Sequence, residues 1–180
     1  MPKKISHSRK TALKAGAAGF RKPQGMYDVL PAAEPWRQRI RKTIGELAVF
    51  YNFSRIETPA VESEELFAKA FGDGESDLSL ARVYRVKAKG EKGFILRPEG
   101  TIPVLRAYLE HGLGRQSQPQ RLFSEGLVFY GERAGAHVYR ERTEAGFHVI
   151  GGQNDPLYDA QVILVFHHLL RELRIKSVEL

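Results

Sequence analysis

The order of elements legible in these 180 residues predicts an α+β fold, an antiparallel sheet flanked by helices. Apolar residues recur at helical spacing in separated stretches. Between those stretches lie two hairpins, each a pair of extended runs joined by a short Gly-bearing turn. Strands thus have partners nearby in sequence, which fits antiparallel pairing and not a doubly wound sheet.

Residues 1–19 are rich in Lys, Ser, Ala and Gly and read as a disordered basic arm, leaving residues 20–180 as one folded unit. Seven of the 28 basic residues precede Asp28, the first acidic residue, and the other 21 equal the 21 acidic ones. The net charge of +7 therefore sits in the first 22 residues, and the body beyond them is neutral. That weakens a general electrostatic case for nucleic-acid binding. The arm reads as a solvated segment, with an organelle transit peptide as the other reading; otherwise the chain is expected in the cytoplasm. No apolar run approaches the ~18 residues of a spanning helix, so no membrane partner is expected. The chain has no cysteine, which excludes disulfides, thiolate metal sites and Cys nucleophiles.

Pro35 suits a first helical turn. Trp36, Ile40, Ile44, Leu47 and Tyr51 then form one apolar stripe on a helix of roughly 16 residues. Arg37, Arg39, Arg41 and Lys42 lie off that stripe and read as a solvated face. Phe53 to Val61 alternates and is broken at Pro59, as in an edge strand or a strand end. Glu62 to Phe71 reads as a short helix packing Leu66 and Phe67, and residues 73–77 as a polar loop. Val83–Ala88 and Phe94–Arg97 form the first hairpin. Thr101 is a plausible N-cap for a helix to about His111. Arg121–Tyr130 and Val138–Ile150 form the second, longer hairpin. Asp155 and Pro156 open the last helix, which runs to about Leu173, and Ile175 to Leu180 begins a strand.

Two segments carry candidate chemistry. In Arg97-Pro98-Glu99-Gly100-Thr101 a strand ends and a helix begins at once. A carboxylate and a hydroxyl there suit capture of an ammonium group, or they merely cap the helix. On the second hairpin Glu132, Arg133, Arg140, Glu141, Arg142 and Glu144 cluster, either as cross-strand ion pairs or as a charged face for a nucleotide.

Gly25-Met26-Tyr27-Asp28-Val29-Leu30-Pro31 resembles the opening segment of histidyl-tRNA synthetases. So does Phe50-Tyr51-Asn52-Phe53-Ser54-Arg55-Ile56-Glu57-Thr58-Pro59. Leu96-Arg97-Pro98-Glu99-Gly100-Thr101, followed by Pro103 and Arg106-Ala107-Tyr108, is similar to that family's most distinctive motif. Gln118-Pro119, Val149-Ile150-Gly151 and Asp159-Ala160-Gln161 continue in register, over residues 20–175. The pentapeptide argues against the family's regulatory relative, a subunit of ATP phosphoribosyltransferase.

The resemblance implies a class II synthetase catalytic core that dimerises through residues 36–61. It implies a histidine--tRNA ligase, activating histidine with ATP and magnesium and passing it to tRNA. By it Glu99, Gly100 and Thr101 bind the amino acid, Glu132 lies on the nucleotide side, and Arg133 lies near the tRNA acceptor end. Four family positions are substituted. Tyr130 stands where an arginine grips the α-phosphate and the histidine carboxylate. Val138 replaces a loop arginine, Glu144 a substrate-holding glutamine, and His148 a glutamate that meets the imidazole. Loss of one preorganised donor costs about 2.7–4 kcal/mol of transition-state stabilisation. Nothing in the chain resembles the third class II motif, the histidine-specific arginine motif or the anticodon-binding domain. It is therefore expected to be an amino-terminal fragment, weak or inactive alone. A catalytically inactive synthetase-like paralogue, acting as a binding or regulatory module, is the alternative. His137, His148, His167 and His168 show no ligand spacing, and no metal site is expected among them.

Overall fold

The computed structural model describes residues 21–71, 82–88, 90–131 and 139–176. The arm, the loop at 73–77 and the tip of the second hairpin, with Glu132, Arg133, His137 and Val138, lie outside these residues.

The order is α1 (Glu34–Phe50), β1 (Ser54–Arg55), β2 (Val61–Ser63), α2 (Glu64–Phe71), β3 (Arg85–Ala88), β4 (Glu91–Leu96), α3 (Thr101–Glu110), β5 (Gln120–Phe129), β6 (Glu141–Ile150) and α4 (Pro156–Glu172). One sheet has the order β1-β5-β6, the other β2-β4-β3. The mixed α+β class and the two hairpins stand as expected. Among the described residues strand pairing is antiparallel except at β1, which pairs in parallel with β5 through Ser54–Leu122 and Arg55–Phe123.

That exception corrects the reading of Phe53 to Val61 as one strand. The run is divided between the two sheets. Pro59 has no N–H to give a ladder. Just before it, Thr58 turns inward, 7% exposed, to receive a side chain from another segment. The expected strand at 175–180 is likewise not seen in its described part, since Ile175 and Lys176 are irregular.

β5 and β6 form the central ribbon, in continuous register from Gln120–Ile150 to Phe129–Glu141. Side chains alternate between its faces. Phe123, Ala145, Phe147 and Val149 face α1 and α4 and pack with Ile44, Leu47, Ala48, Phe53, Val165 and Leu169. Phe147 stacks on Phe123 at 5.2 Å and meets Phe53 edge-on at 5.1 Å. A smaller core of Phe67, Val83 and Ile95 lies under the second sheet.

Two arginines expected on a solvated face of α1 pin the helix to the ribbon. Arg37 donates to Thr143 Oγ1 at 2.8 Å, and Arg41 pairs with Glu125 at 2.9 Å. The first half of the apolar stripe is uncovered: Trp36 is 67% and Ile40 41% exposed, while Ile44 and Leu47 are buried. Asp155 caps α4 as expected, accepting from Leu157 N–H at 2.9 Å with Pro156 as first residue. No described helix is long and apolar enough to cross a membrane.

Candidate functional site

The pentapeptide divides in two. Its first half is structural. Arg97 is 8% exposed, and Pro98 is fully buried. The Arg97 guanidinium donates to Leu127 O at 2.8 Å, to Thr58 O at 2.9 Å and to Thr58 Oγ1 at 2.8 Å. Its backbone is held as well: its N–H donates to Ala60 O, and its carbonyl accepts from Phe129 N–H, both at 2.9 Å. Gly126 is required beside it, because a Cβ there would stand 1.8 Å from an Arg97 nitrogen. The pair fixes the end of β4 over the ribbon, on the face away from α1.

The second half faces that same side. Thr101 is not the N-cap; the helix begins at Thr101 itself, after Gly100. The capping acceptor is Glu99, whose two oxygens accept from Thr101 N–H and Ile102 N–H, each at 2.7 Å. Both side chains are good acceptors, but Glu99 is placed to span two N–H groups, and a carboxylate gains more there from the helix dipole than a hydroxyl. Thr101 is exposed at the first helical position.

Glu144 comes to the same terminus from β6 and accepts from Gly100 N–H at 3.0 Å. It thus bonds to backbone and not across the strand to a cation. Beside it, Ser124 Oγ lies 3.2 Å from His148 Nε2; which atom donates follows from the imidazole tautomer. These groups crowd two glycines. A Cβ on Gly100 would lie 3.3 Å from Glu144 Oε1 and 3.8 Å from Ser124 Oγ. One on Gly146 would lie 2.7 Å from His148 Nε2. Burial holds the His148 imidazole below its ordinary value, so it is neutral at pH 7.

Structure therefore unites Glu99, Gly100, Glu144 and His148, and adds Ser124, Gly126 and Gly146, which sequence reasoning missed. The missed signal is parity: on paired strands of fixed register, the even-numbered positions carry serine and glycine where the odd ones carry phenylalanine. Tyr130, at the position where the resemblance implies an arginine, closes the end of β5. It is 3% exposed, its N–H donating to Arg140 O. Glu132, Arg133 and Val138 lie outside the described residues. Among those described, no three His, Asp or Glu side chains gather as metal ligands.

A cavity of about 950 Å³ lies on the opposite face of the ribbon, among Tyr27, α1, Phe123 and Leu127. It does not touch Glu99, Glu144 or His148. The clustered polar groups, and not cavity size, mark the candidate site.

A second salt link braces α3. Arg106 donates through Nε and a terminal nitrogen to Glu62, at 3.0 and 2.7 Å, with Glu62 6% exposed. That hydrogen bonding raises the Arg106 guanidinium above its ordinary value, against the opposing effect of burial. α3 is thereby fixed to β2, and its N-terminus to the ribbon.

The same arrangement of elements occurs in known proteins. The crystal structure of apo Staphylococcus aureus histidyl-tRNA synthetase matches with a TM-score of 0.71 at 33% identity, over 87% of this chain and 35% of that one. A structure described as an ATP phosphoribosyltransferase regulatory subunit/histidyl-tRNA synthetase from Bacillus halodurans matches with a TM-score of 0.76, over 88% of this chain and 39% of that one. At 23% identity that second likeness speaks for the fold alone. In sequence, a histidine--tRNA ligase of Staphylococcus aureus is 38% identical over 160 residues, 88% of this chain. The chain spans 37% of that relative's length. The fold is that of part of a class II synthetase catalytic domain. The family model for histidyl-tRNA synthetase matches residues 25–180, and with that match running through the pentapeptide and the ribbon, the chain belongs to the histidyl-tRNA synthetase family.

Proposed function

We propose that residues 20–180 form the amino-terminal part of a cytoplasmic histidine--tRNA ligase catalytic domain, preceded by a basic arm. In this reading the face around Gly100 receives the ammonium group of histidine. The observation that carries it is the anchoring of Glu99 and Glu144 on three consecutive N–H groups. Two fixed carboxylates suit a cation, and they need no reorganisation when it arrives.

The described residues of this face fit an ammonium and do not fit a triphosphate. Arg97 is committed to Thr58 and Leu127. Tyr130 is buried and carries no positive charge, and Glu144 repels phosphate. ATP and magnesium would supply the activated phosphate in a complete ligase, and tRNA would accept the histidyl group. On the described residues this chain holds and orients the amino acid without meeting the charge on the phosphate. We assign it little or no activation by itself.

The experiment is histidine-dependent exchange of pyrophosphate into ATP by purified 1–180. No exchange is expected, and none after Tyr130→Arg, Glu144→Gln and His148→Glu together unless downstream catalytic segments are supplied. Robust exchange by the unmodified chain would overturn this assignment. Burial of Tyr130 and the charge of Glu144 favour a second reading, an inactive paralogue serving as a binding or regulatory module. In that case supplying the downstream segments leaves the substituted chain silent too.

We further propose self-association through residues 36–61. Trp36 near the start of α1 and Val49 and Phe50 at its end are 67%, 79% and 73% exposed, large apolar side chains that a partner would cover. Sedimentation at high micromolar concentration is expected to show a dimer; a monomer throughout would reject it.

A further inference from the structure

Arg97 stands on the face of the candidate site with one nitrogen unused, and so bears on how an amino acid is held there. It is 8% exposed, and among the described residues it has no ion-pair partner. A charged side chain is seldom this buried without one. Nε donates to Leu127 O, and Nη1 to Thr58 O and Oγ1. These acceptors satisfy donors and supply no opposite charge. Nη2 makes no hydrogen bond among the described residues. Since no partnerless side-chain nitrogen there is sealed from solvent, Nη2 is open to the surface.

Gly126 fixes where that nitrogen lies. A Cβ on Gly126 would stand 1.8 Å from Nη2, so Nη2 rests directly over this glycine, on the even-numbered face of β5. Gly126 pairs with Glu144 across the ribbon. The Cβ positions of directly opposed residues lie about 4.5–5.5 Å apart. Nη2 thus stands beside the Glu144 side chain, whose carboxylate turns to Gly100 N–H and forms no ion pair with it. A cation and an anion held apart on one face, each fixed by other bonds, leave a gap for a molecule that carries both charges. An α-amino acid does, with ammonium and carboxylate on one carbon.

We propose that Arg97 Nη2 receives the carboxylate of the amino acid whose ammonium lies between Glu99 and Glu144, so that the site selects a zwitterion over the same amine lacking a carboxylate. This rests on the reading of the face as an amino-acid site. Nε and Nη1 hold the guanidinium plane before the ligand arrives, and the carboxylate brings the counter-charge that the buried cation lacks. A single nitrogen serves one carboxylate oxygen, not the spread of oxygens on a triphosphate. Arg142, exposed and two residues from Glu144 on the same face of β6, is the rival cation, and the test separates the two.

The test is calorimetric titration of the 1–180 chain at pH 7.0 with L-histidine, L-histidinol, L-alanine and L-alaninol. Histidine is expected to bind at least about tenfold more tightly than histidinol, a difference of about 1.4 kcal/mol. Arg142→Gln should keep that preference. Arg97→Lys has a single nitrogen for Thr58 and the ligand alike and should lose it, with a melting curve to check the fold. Should Arg97→Lys not fold, side-chain nitrogen–proton spectra of the arginine-labelled wild type decide: histidine shifts the Arg97 resonances and histidinol does not. Histidine no tighter than histidinol overturns the proposal. So does a preference that survives in folded Arg97→Lys or vanishes in Arg142→Gln, and so do Arg97 resonances that ignore histidine. Histidine and histidinol equal, with both ahead of alanine, rejects the Arg97 contact and keeps the histidine reading. Alanine binding as tightly as histidine, with both well ahead of their alcohols, supports the contact and rejects the histidine reading. No binding by any of the four overturns both.

Discussion

The two faces of the β5–β6 ribbon share one backbone and one register, and they are made of different materials. Toward α1 and α4 the ribbon presents Phe123, Ala145, Phe147 and Val149, closed over by helices. Toward α3 it presents Ser124, Gly126, Glu144, Gly146 and His148. On the first face each side chain is held by many neighbours, so shape and volume matter. On the second, small residues clear space and a few polar groups are fixed by specific hydrogen bonds. One face is core; the other, which also buries Leu122 and Val128 near its ends, carries the candidate site.

The contrast is broken most directly by truncating one residue on each face. Phe147→Ala removes a ring 6% exposed that stacks between Phe53, Phe123 and Phe166. A loss of about 3–5 kcal/mol is expected in urea unfolding. Ser124→Ala, next to it on the partner strand but facing the other way, should cost about 1 kcal/mol or less. Equal losses would mean that the polar face is part of the core.

A smaller effect sharpens the same contrast through pH. Burial holds His148 below the ordinary imidazole value of 6.5, so the folded chain resists a proton that the unfolded chain accepts. Above 6.5 the group is neutral in both states and its contribution is complete. As pH falls through 6.5 the unfolded chain gains the proton first, and stability declines until the folded value is reached. The urea midpoint should therefore fall more steeply below pH 6.5 in the wild type than in His148→Gln. Parallel curves would show that His148 is free to charge where it sits.

What was legible in the sequence follows the reach of each interaction. The α4 cap was legible because Asp155 and Pro156 act on their immediate neighbours. Both hairpins were legible because a turn joins each pair of strands. β1 was not, since two residues pairing in parallel with Leu122 and Phe123 leave no local signature. Thr101 was misread as the cap because two acceptors compete for the same N–H groups within three residues, and composition does not rank them. Arg37 and Arg41 were misread because an arginine on a helix looks the same whether it meets water or a strand. For the site, the pentapeptide identified the place, and parity on the ribbon held the rest. The role of Arg97 was hidden for a different reason: most of its partners are backbone carbonyls, which every sequence has.

Arg97 has a consequence for how the site comes into being. Its side chain closes contacts across 39 residues to Thr58 and across 30 to Leu127. The chain between those points must already be gathered before the guanidinium finds its acceptors, and closing such loops costs entropy before any contact returns it. The carboxylate of Glu99 can cap its helix in a short peptide, but it faces Glu144 only once three distant segments have met. A graft of 94–111 onto another scaffold would carry the recognisable letters and the Glu99 cap, without the contacts to Thr58, Leu127 and Glu144. The transferable unit is the pentapeptide together with Thr58 and Gly126.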